Sequence, residues 1–423
     1  MIPRASLLAL LVGLLSVLAS GLAQPALAAI VNVNTTEDED NVDGDCSLRE
    51  AIRAADQDVV VDACGSGGGA DVVNVPAGVY VLVLGDLSVS STEGLSIVGA
   101  GADVTILDGN ASDRILSLSG AVVSVSGVTI RNGVATSGGG INVSNGNLTL
   151  SNSVVIGNTA NSDGGGINNS SGTVSLLDTT VSGNDAGRDG GGVNSSSATT
   201  TLEQVTLSGN TAVVDGGGIQ ISDGTVTVLN STISGNTAAD QGGGLFKTGG
   251  TVTLTNVTVN SNGATEAGGG IFQTGGTITL ANTIVANSTS GGDCAGGAPI
   301  SSGGNLDTDG SCALVAAGDL PNTDPILGLL ANNGGPTLTH ALLSGSPAID
   351  AGAEGACPAV DQRGVTRPQD GDGDTLAACD IGAFELEGGG EEGEPLEVPT
   401  LGIWALALFS LLLAAGAAVS LGR

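Results

Sequence analysis

The amino-acid sequence predicts an all-β protein whose body is a right-handed parallel β-helix with 26-residue coils. Three observations lead to this prediction: a repeat without slippage, short aliphatic runs in alternation with polar residues, and 72 glycines beside only 1% aromatic residues. The repeat is marked by Gly-Gly-Gly triplets that begin at Gly138, Gly164, Gly190, Gly216, Gly242 and Gly268. Chance does not produce five equal intervals, so each repeat is expected to be one structural unit.

Apolar residues occupy fixed positions within the repeat. One such column consists of Leu150, Leu176, Leu202, Val228, Leu254 and Leu280. Alternation as in Thr225-Val226-Thr227-Val228 is typical of strands with one buried face. A single coil cannot bury its own apolar faces, so the coils are expected to stack about 4.8 Å apart. An asparagine column is expected to form a turn ladder between coils: Asn132, Asn158, Asn184, Asn210, Asn236 and Asn262.

The N-terminal region has two parts. Residues 1–28 carry Arg4, an apolar stretch and a small-residue cleavage site ending at Ala28, which predicts a secretory signal peptide. Residues 29–78 are expected to form an N-terminal cap, because Ser47-Leu48-Arg49-Glu50 is a capping box that begins a short amphipathic helix. Such a helix would cover the open end of the stack.

The β-helix body is assigned to residues 79–290, and residues 291–386 to terminal coils and a disulfide-containing C-terminal cap. Residues 387–397 are expected to form an acidic, glycine-rich linker. Residues 398–423 contain 22 uncharged residues from Leu401 to Gly422, which predicts a C-terminal transmembrane helix. The chain is therefore expected to be exported and held, at least transiently, by the membrane.

Charge and cysteine content limit the possible partners. The net charge of −33 excludes nucleic acid and favours solubility, while calcium remains the one candidate cofactor. Six cysteines in an oxidising compartment favour disulfides between sequence neighbours: Cys46 with Cys64, Cys294 with Cys312, and Cys357 with Cys379. The single histidine, His340, is expected to be an outward strand residue, and a zinc site lacks ligands.

Three motifs resemble those of bacterial exported proteins of the pectate-lyase-like superfamily. Cys46 to Ala51 resembles the CSLREA motif, and the stretch from Asn333 to Glu385 resembles the choice-of-anchor Q domain. The tail resembles the IPTL-CTERM sorting signal of Gram-negative bacteria through Val398, Pro399, Thr400, Leu401 and Trp404. This resemblance implies a surface or extracellular location and a sorting protease of exosortase type as a partner.

Two groups of carboxylates are candidate sites. Asp163, Asp189 and Asp215 share one repeat position, and Arg188 beside them could serve as a lyase-type base. Aspartate is also common in turns, where its side chain bonds the nearby backbone, so a structural role of these residues is the alternative. In the second group, Asp370, Asp372 and Asp374 alternate like the first half of a calcium loop, but the twelfth position is Ile381 and not glutamate. A loose calcium turn and a solvated loop are therefore the two alternatives.

The sequence favours a non-enzymatic cell-surface β-helix with an adhesive, matrix or envelope-structural role. The long repetitive face would offer many equivalent contacts to an extracellular polysaccharide or another cell surface. Two alternatives stay open: a polysaccharide lyase or hydrolase that uses the aspartates, and a non-catalytic glycan-binding module.

Overall fold

The computed structural model describes residues 28–388. Within this range the chain is a parallel β-solenoid of right-handed type with about nine turns and one α-helix, which confirms the predicted fold class. The predicted signal peptide, transmembrane helix and sorting motif lie outside the described residues. No helix in residues 28–388 is long and apolar enough to cross a membrane.

Three parallel sheets and one antiparallel hairpin account for the strands of the described range. The long sheet comprises Ile30–Asn32, Asp71–Val75, Gly78–Val81, Leu95–Gly99, Thr105–Asp108, Val122–Ser126, Thr129–Arg131, Asn147–Ser151, Val154–Ile156, Thr173–Leu177, Thr180–Ser182, Ala198–Glu203, Thr206–Ser208, Gly224–Ser234, Thr251–Asn260, Thr277–Ala281, Ile284–Ala286, Ile300–Ser301 and Leu306–Asp307. The second sheet comprises Leu87–Val89, Leu116–Ser119, Ile141–Ser144, Ile167–Ser170, Val193–Ser196, Ile219–Ile221, Leu245–Lys247, Ile271–Gln273 and Cys294–Gly296. The third sheet comprises Val134–Ala135, Thr159–Ala160, Asp185–Ala186, Thr211–Ala212, Thr237–Ala238 and Gly263–Ala264. The hairpin pairs Leu327–Ala331 with Thr339–Leu342, and a 3-10 turn follows at Glu354–Ala356.

Identical positions of successive coils face one another. Leu176 pairs with Leu150 on one side and with Leu202 on the other, and all three are fully buried. A buried aliphatic side chain contributes about 1.5–3 kcal/mol, so the continuous columns supply most of the driving force for folding. The predicted aliphatic columns are therefore confirmed.

The asparagine column is a hydrogen-bonded ladder, as predicted. The Nδ2 group of Asn210 donates to the Val181 carbonyl oxygen at 3.0 Å and to Asn236 Oδ1 at 2.9 Å. Its own Oδ1 accepts from the backbone N–H of Asn184 at 3.1 Å. The ladder begins one coil later than expected, because the amide of Asn132 contacts Asp108 instead.

The glycine triplets are required where neighbouring coils meet. Gly164 has a φ of +68°, a conformation that other residues rarely adopt. A Cβ on Gly165 would lie 2.4 Å from the carbonyl oxygen of Gly191 on the next coil. The repeat therefore needs glycine for both conformation and space.

The N-terminal end is capped by the helix Leu48–Gln57. Its capping box has the predicted form: Ser47 Oγ accepts from the backbone N–H of Glu50, and Glu50 Oε2 accepts from the backbone N–H of Ser47. The helix buries Leu48 and Ile52 in the solenoid core. The first parallel strand, Ile30–Asn32, pairs with Asp71–Val75, so the stack already begins inside the segment expected as a cap.

All three disulfides join the sequence neighbours that were expected to pair. Cys294–Cys312 lies at the far end of the solenoid, where Cys312 and Leu314 join the main core. Disulfides of this kind indicate an exported protein, in agreement with the predicted location.

The last part of the described chain does not extend the stack but folds back along the side of the long sheet. We call residues 332–386 the C-terminal flank. It lies along a column of bend residues that all have positive φ and bonds to the last four of them; the column consists of Asn152, Asp178, Gln204, Asn230, Asn256 and Asn282. The Asn230 side chain donates to the Val360 carbonyl oxygen at 2.9 Å, and Asn282 donates to that of Ala353 at 3.1 Å. The segment expected to cap the open end therefore packs largely along the side of the solenoid. It binds there because the bend column presents side-chain amide groups.

The prediction that His340 points outward is wrong. Its side chain lies against the long sheet with 5% exposure, and Nε2 is 2.9 Å from Ser234 Oγ and 3.2 Å from Asn260 Nδ2. Nδ1 is 2.8 Å from the Gly328 carbonyl oxygen. Burial lowers the pKa of His340, so the neutral imidazole helps to dock the hairpin.

Replacement of one ladder asparagine should destabilise the solenoid strongly. We expect Asn210→Ala to lower the free energy of unfolding by about 2–4 kcal/mol, because it leaves several buried backbone groups without partners. Guanidinium unfolding would measure the loss, with the exposed Asn147→Ala as the control. A loss no larger than that of the control would show that the ladder is not a stabilising element.

Candidate functional site

The predicted aspartates lie in one row along the solenoid, each just before a glycine triplet. We call Asp163, Asp189 and Asp215 the acidic row. Each carboxylate is half-buried, because the bend before the triplet brings it against the next coil. Asp189 Oδ1 accepts from the backbone N–H of Asp215 at 3.3 Å, and Asp215 Oδ1 accepts from that of Gln241 at 3.1 Å. These two carboxylates therefore make coil-to-coil contacts.

Arg188 lies beside the row, as predicted, but it is paired. Its Nε donates to Asp163 Oδ1 at 2.8 Å, and its guanidinium also bonds Asp163 Oδ2. The same Nε is 3.3 Å from Asp189 Oδ2. The hydrogen bond to Asp163 raises the pKa of Arg188, so the group stays protonated and does not act as a base at neutral pH.

The acidic row has perturbed acidity. Burial raises the pKa of Asp215 to about 6, and the carboxylates of Asp189, Asp240 and Glu266 add to the effect. Burial likewise raises the pKa of Asp189. A carboxyl group that titrates near neutral pH is suited to proton transfer, yet it is equally the result of stacking like charges in a repeat.

Carboxylates that could hold a cation converge in the C-terminal flank, away from the acidic row. In residues 28–388, the groups whose ligand oxygens converge within 4.8 Å include Asp350, Asp370 and Asp372. Asp370 and Asp372 belong to the predicted calcium loop, and Asp350 is a member that sequence reasoning missed. Asp374 is not part of this group; its Oδ1 accepts from the backbone N–H of Leu376. Both Asp370 oxygens already accept backbone N–H groups, of Gly373 and Thr375, so calcium binding here stays a prediction.

A second acidic group lies in the loop before the capping helix. Glu39, Asp43 and Asp45 bring one oxygen each within 4.8 Å. Glu39 Oε1 and Asp45 Oδ1 are buried without a hydrogen-bond partner. These residues could hold a cation of the calcium type, which prefers carboxylate oxygens. The acidic run from Glu37 to Asp45 in the sequence was the available signal.

One solved structure, the crystal structure of pectate lyase Pel9A, is similar to this chain. The sequence identity is 14%, the TM-score is 0.48, and the match covers 87% of this chain and 98% of the lyase. No family model matches the sequence, and no curated protein matches it. The motif resemblances therefore stay predictions, and a structural likeness of this degree assigns neither an activity nor a site residue.

The raised pKa of Asp215 predicts a pH-dependent stability. Because the folded state holds the proton up to about pH 6 while the unfolded chain releases it near 3.8, stability falls as the pH rises through this window. We expect Asp215→Asn to stabilise the protein by about 1 kcal/mol at pH 7 and to lose this advantage at pH 4. Thermal unfolding at both pH values, with Asp185→Asn as an exposed control, would measure it. An equal effect at the two pH values would contradict the assignment.

Proposed function

We propose that the protein is an exported, non-enzymatic scaffold of the cell surface with an adhesive, matrix or envelope-structural role. The observation that carries this proposal is that the candidate catalytic groups already bond to other residues of the solenoid. Arg188 is neutralised by Asp163 and Asp189, while Asp189 and Asp215 hold the backbone of the following coil. Residues that stabilise the stack are poorly placed to exchange protons with a substrate.

The C-terminal flank supports the same proposal. Arg367 and Glu385 form an ion pair at 2.8 Å in which both side chains are fully buried. Arg367 also donates to the carbonyl oxygens of Asp380 and Gly382. This network joins the end of the described chain to the bend column through Asn256. With its amide oriented so that both groups are satisfied, Asn256 accepts from the Arg367 guanidinium at 3.1 Å and donates to the Ala356 carbonyl oxygen at 2.9 Å. A pull on the tail would therefore act on several coils at once, as a surface anchor requires.

The alternative is a polysaccharide lyase or hydrolase, or a module that binds glycans without cleaving them. The pKa of Asp215, raised to about 6 by burial and neighbouring carboxylates, favours the enzyme. In that case Asp163, Asp189 and Asp215 would act with calcium, which their repulsion favours.

A substrate panel distinguishes these functions. The purified chain is incubated with acidic and neutral polysaccharides, with and without calcium, and both cleavage and binding are recorded. We expect no unsaturated or reducing ends under either condition. Calcium-dependent cleavage that is lost in Asp189→Asn and kept in Asp185→Asn would overturn the proposal in favour of an enzyme. Binding without cleavage, if lost in the same variant, would indicate a glycan-binding module instead.

A further inference from the structure

One face of the long sheet carries two rows of hydroxyl side chains. We call it the threonine face. Its first row consists of Thr173, Thr199, Thr225, Thr251 and Thr277, and its second row of Ser175, Thr201, Thr227, Thr253 and Thr279. The members of a row pair directly with one another on successive coils, without a shift of register. The face is therefore a regular grid.

The dimensions of the grid follow from the fold. Neighbouring coils are about 4.8 Å apart, and two outward residues of one strand are about 6.6 Å apart. Threonine side chains are restricted at χ1, so their hydroxyl and methyl groups keep similar orientations from coil to coil. Five coils thus present nearly equivalent pairs of groups along one direction.

The hydroxyl groups of the face are available. None of the ten side chains donates or accepts a hydrogen bond with another residue of the described chain; the first row is largely exposed, and the second row is half-buried. The C-terminal flank covers the adjacent strands instead, where Thr206 Oγ1 donates to the Leu338 carbonyl oxygen and Thr232 Oγ1 to Gln362 Oε1. The flank therefore leaves the threonine face open.

The two rows contain no charged residue, although the chain carries a net charge of −33. Asp223 and Glu203 lie at the borders of the face rather than within its rows. A face without charge does not select ions, and one without aromatic rings offers no stacking surface to sugars. A sheet surface does not enclose a small molecule in the way that a cleft does. A periodic grid of this kind is best matched by an extended ligand surface with its own period.

We propose that the threonine face binds ice. Oxygen atoms at the surface of hexagonal ice repeat with spacings close to those of the grid, so the hydroxyl groups can take positions of lattice water. The methyl groups between them would occupy gaps of the lattice and exclude disordered water. Each contact is weak, but a rigid grid engages many at once. This inference goes beyond the scaffold role and does not depend on the acidic row.

Ice-affinity partition tests the inference on the full-length protein. Ice is grown slowly from a dilute solution, and the protein fraction incorporated into the ice is measured together with the shape of single crystals. The face variant is Thr225→Tyr with Thr251→Tyr, two exposed threonines that pair on neighbouring coils, which places bulky rings in the middle of the first row. The matched control is Thr211→Tyr with Thr237→Tyr, two exposed threonines of the third sheet in neighbouring coils. Circular dichroism checks that both variants remain folded.

We expect the wild type and the control to enter the ice and to shape its crystals. The face variant should lose incorporation by roughly tenfold or more, because the rings prevent simultaneous contacts. Exclusion of the wild type from ice, or equal incorporation of the face variant, would overturn the inference. A parallel pull-down with crystalline cellulose and chitin provides a further arm. If the protein binds cellulose or chitin through the threonine face but does not enter ice, the ice proposal is wrong and the ligand is a crystalline polysaccharide.

Discussion

The structure depends on one constraint: a 26-residue coil cannot bury its own apolar side chains and must stack in register on identical neighbours. The aliphatic columns, the asparagine ladder and the glycine triplets all satisfy this constraint at different positions of the coil. It also explains the N-terminal helix and the Cys294–Cys312 segment, since the first and last coils would otherwise expose their columns and strand edges.

The same constraint acts on the outside of the solenoid. Any outward residue that is kept in the repeat becomes a row with a spacing of about 4.8 Å. A row of carboxylates such as Asp189 and Asp215 repels itself, which is one reason for the raised pKa of Asp215. A row of threonines has no such cost and can extend over five coils. Charge and hydroxyl rows on one scaffold thus differ in what they can bind and in their effect on stability.

Most of the repeat could be predicted from the sequence, whereas most of the C-terminal flank could not. The period placed Leu176 and Asn210 correctly because every coil repeats the same local requirement, and the capping box at Ser47 is a local signal. His340 and Asp350 belong to contacts without a repeat, between segments more than a hundred residues apart in the case of His340 and Ser234. Nothing in the local pattern indicates that the flank folds back onto the bend column, so their environment could not be predicted.

Disulfide crosslinking between neighbouring coils tests the stacking register most directly. In the pair Thr201→Cys and Thr227→Cys, the two Cα atoms should lie about 4.8 Å apart, within the range that a disulfide can bridge. In the pair Thr201→Cys and Thr225→Cys the separation should be about 8 Å, beyond that range. We expect mild oxidation to crosslink the first pair and not the second, as read by peptide mass spectrometry. Efficient crosslinking of the second pair, or failure of the first, would contradict the 26-residue register.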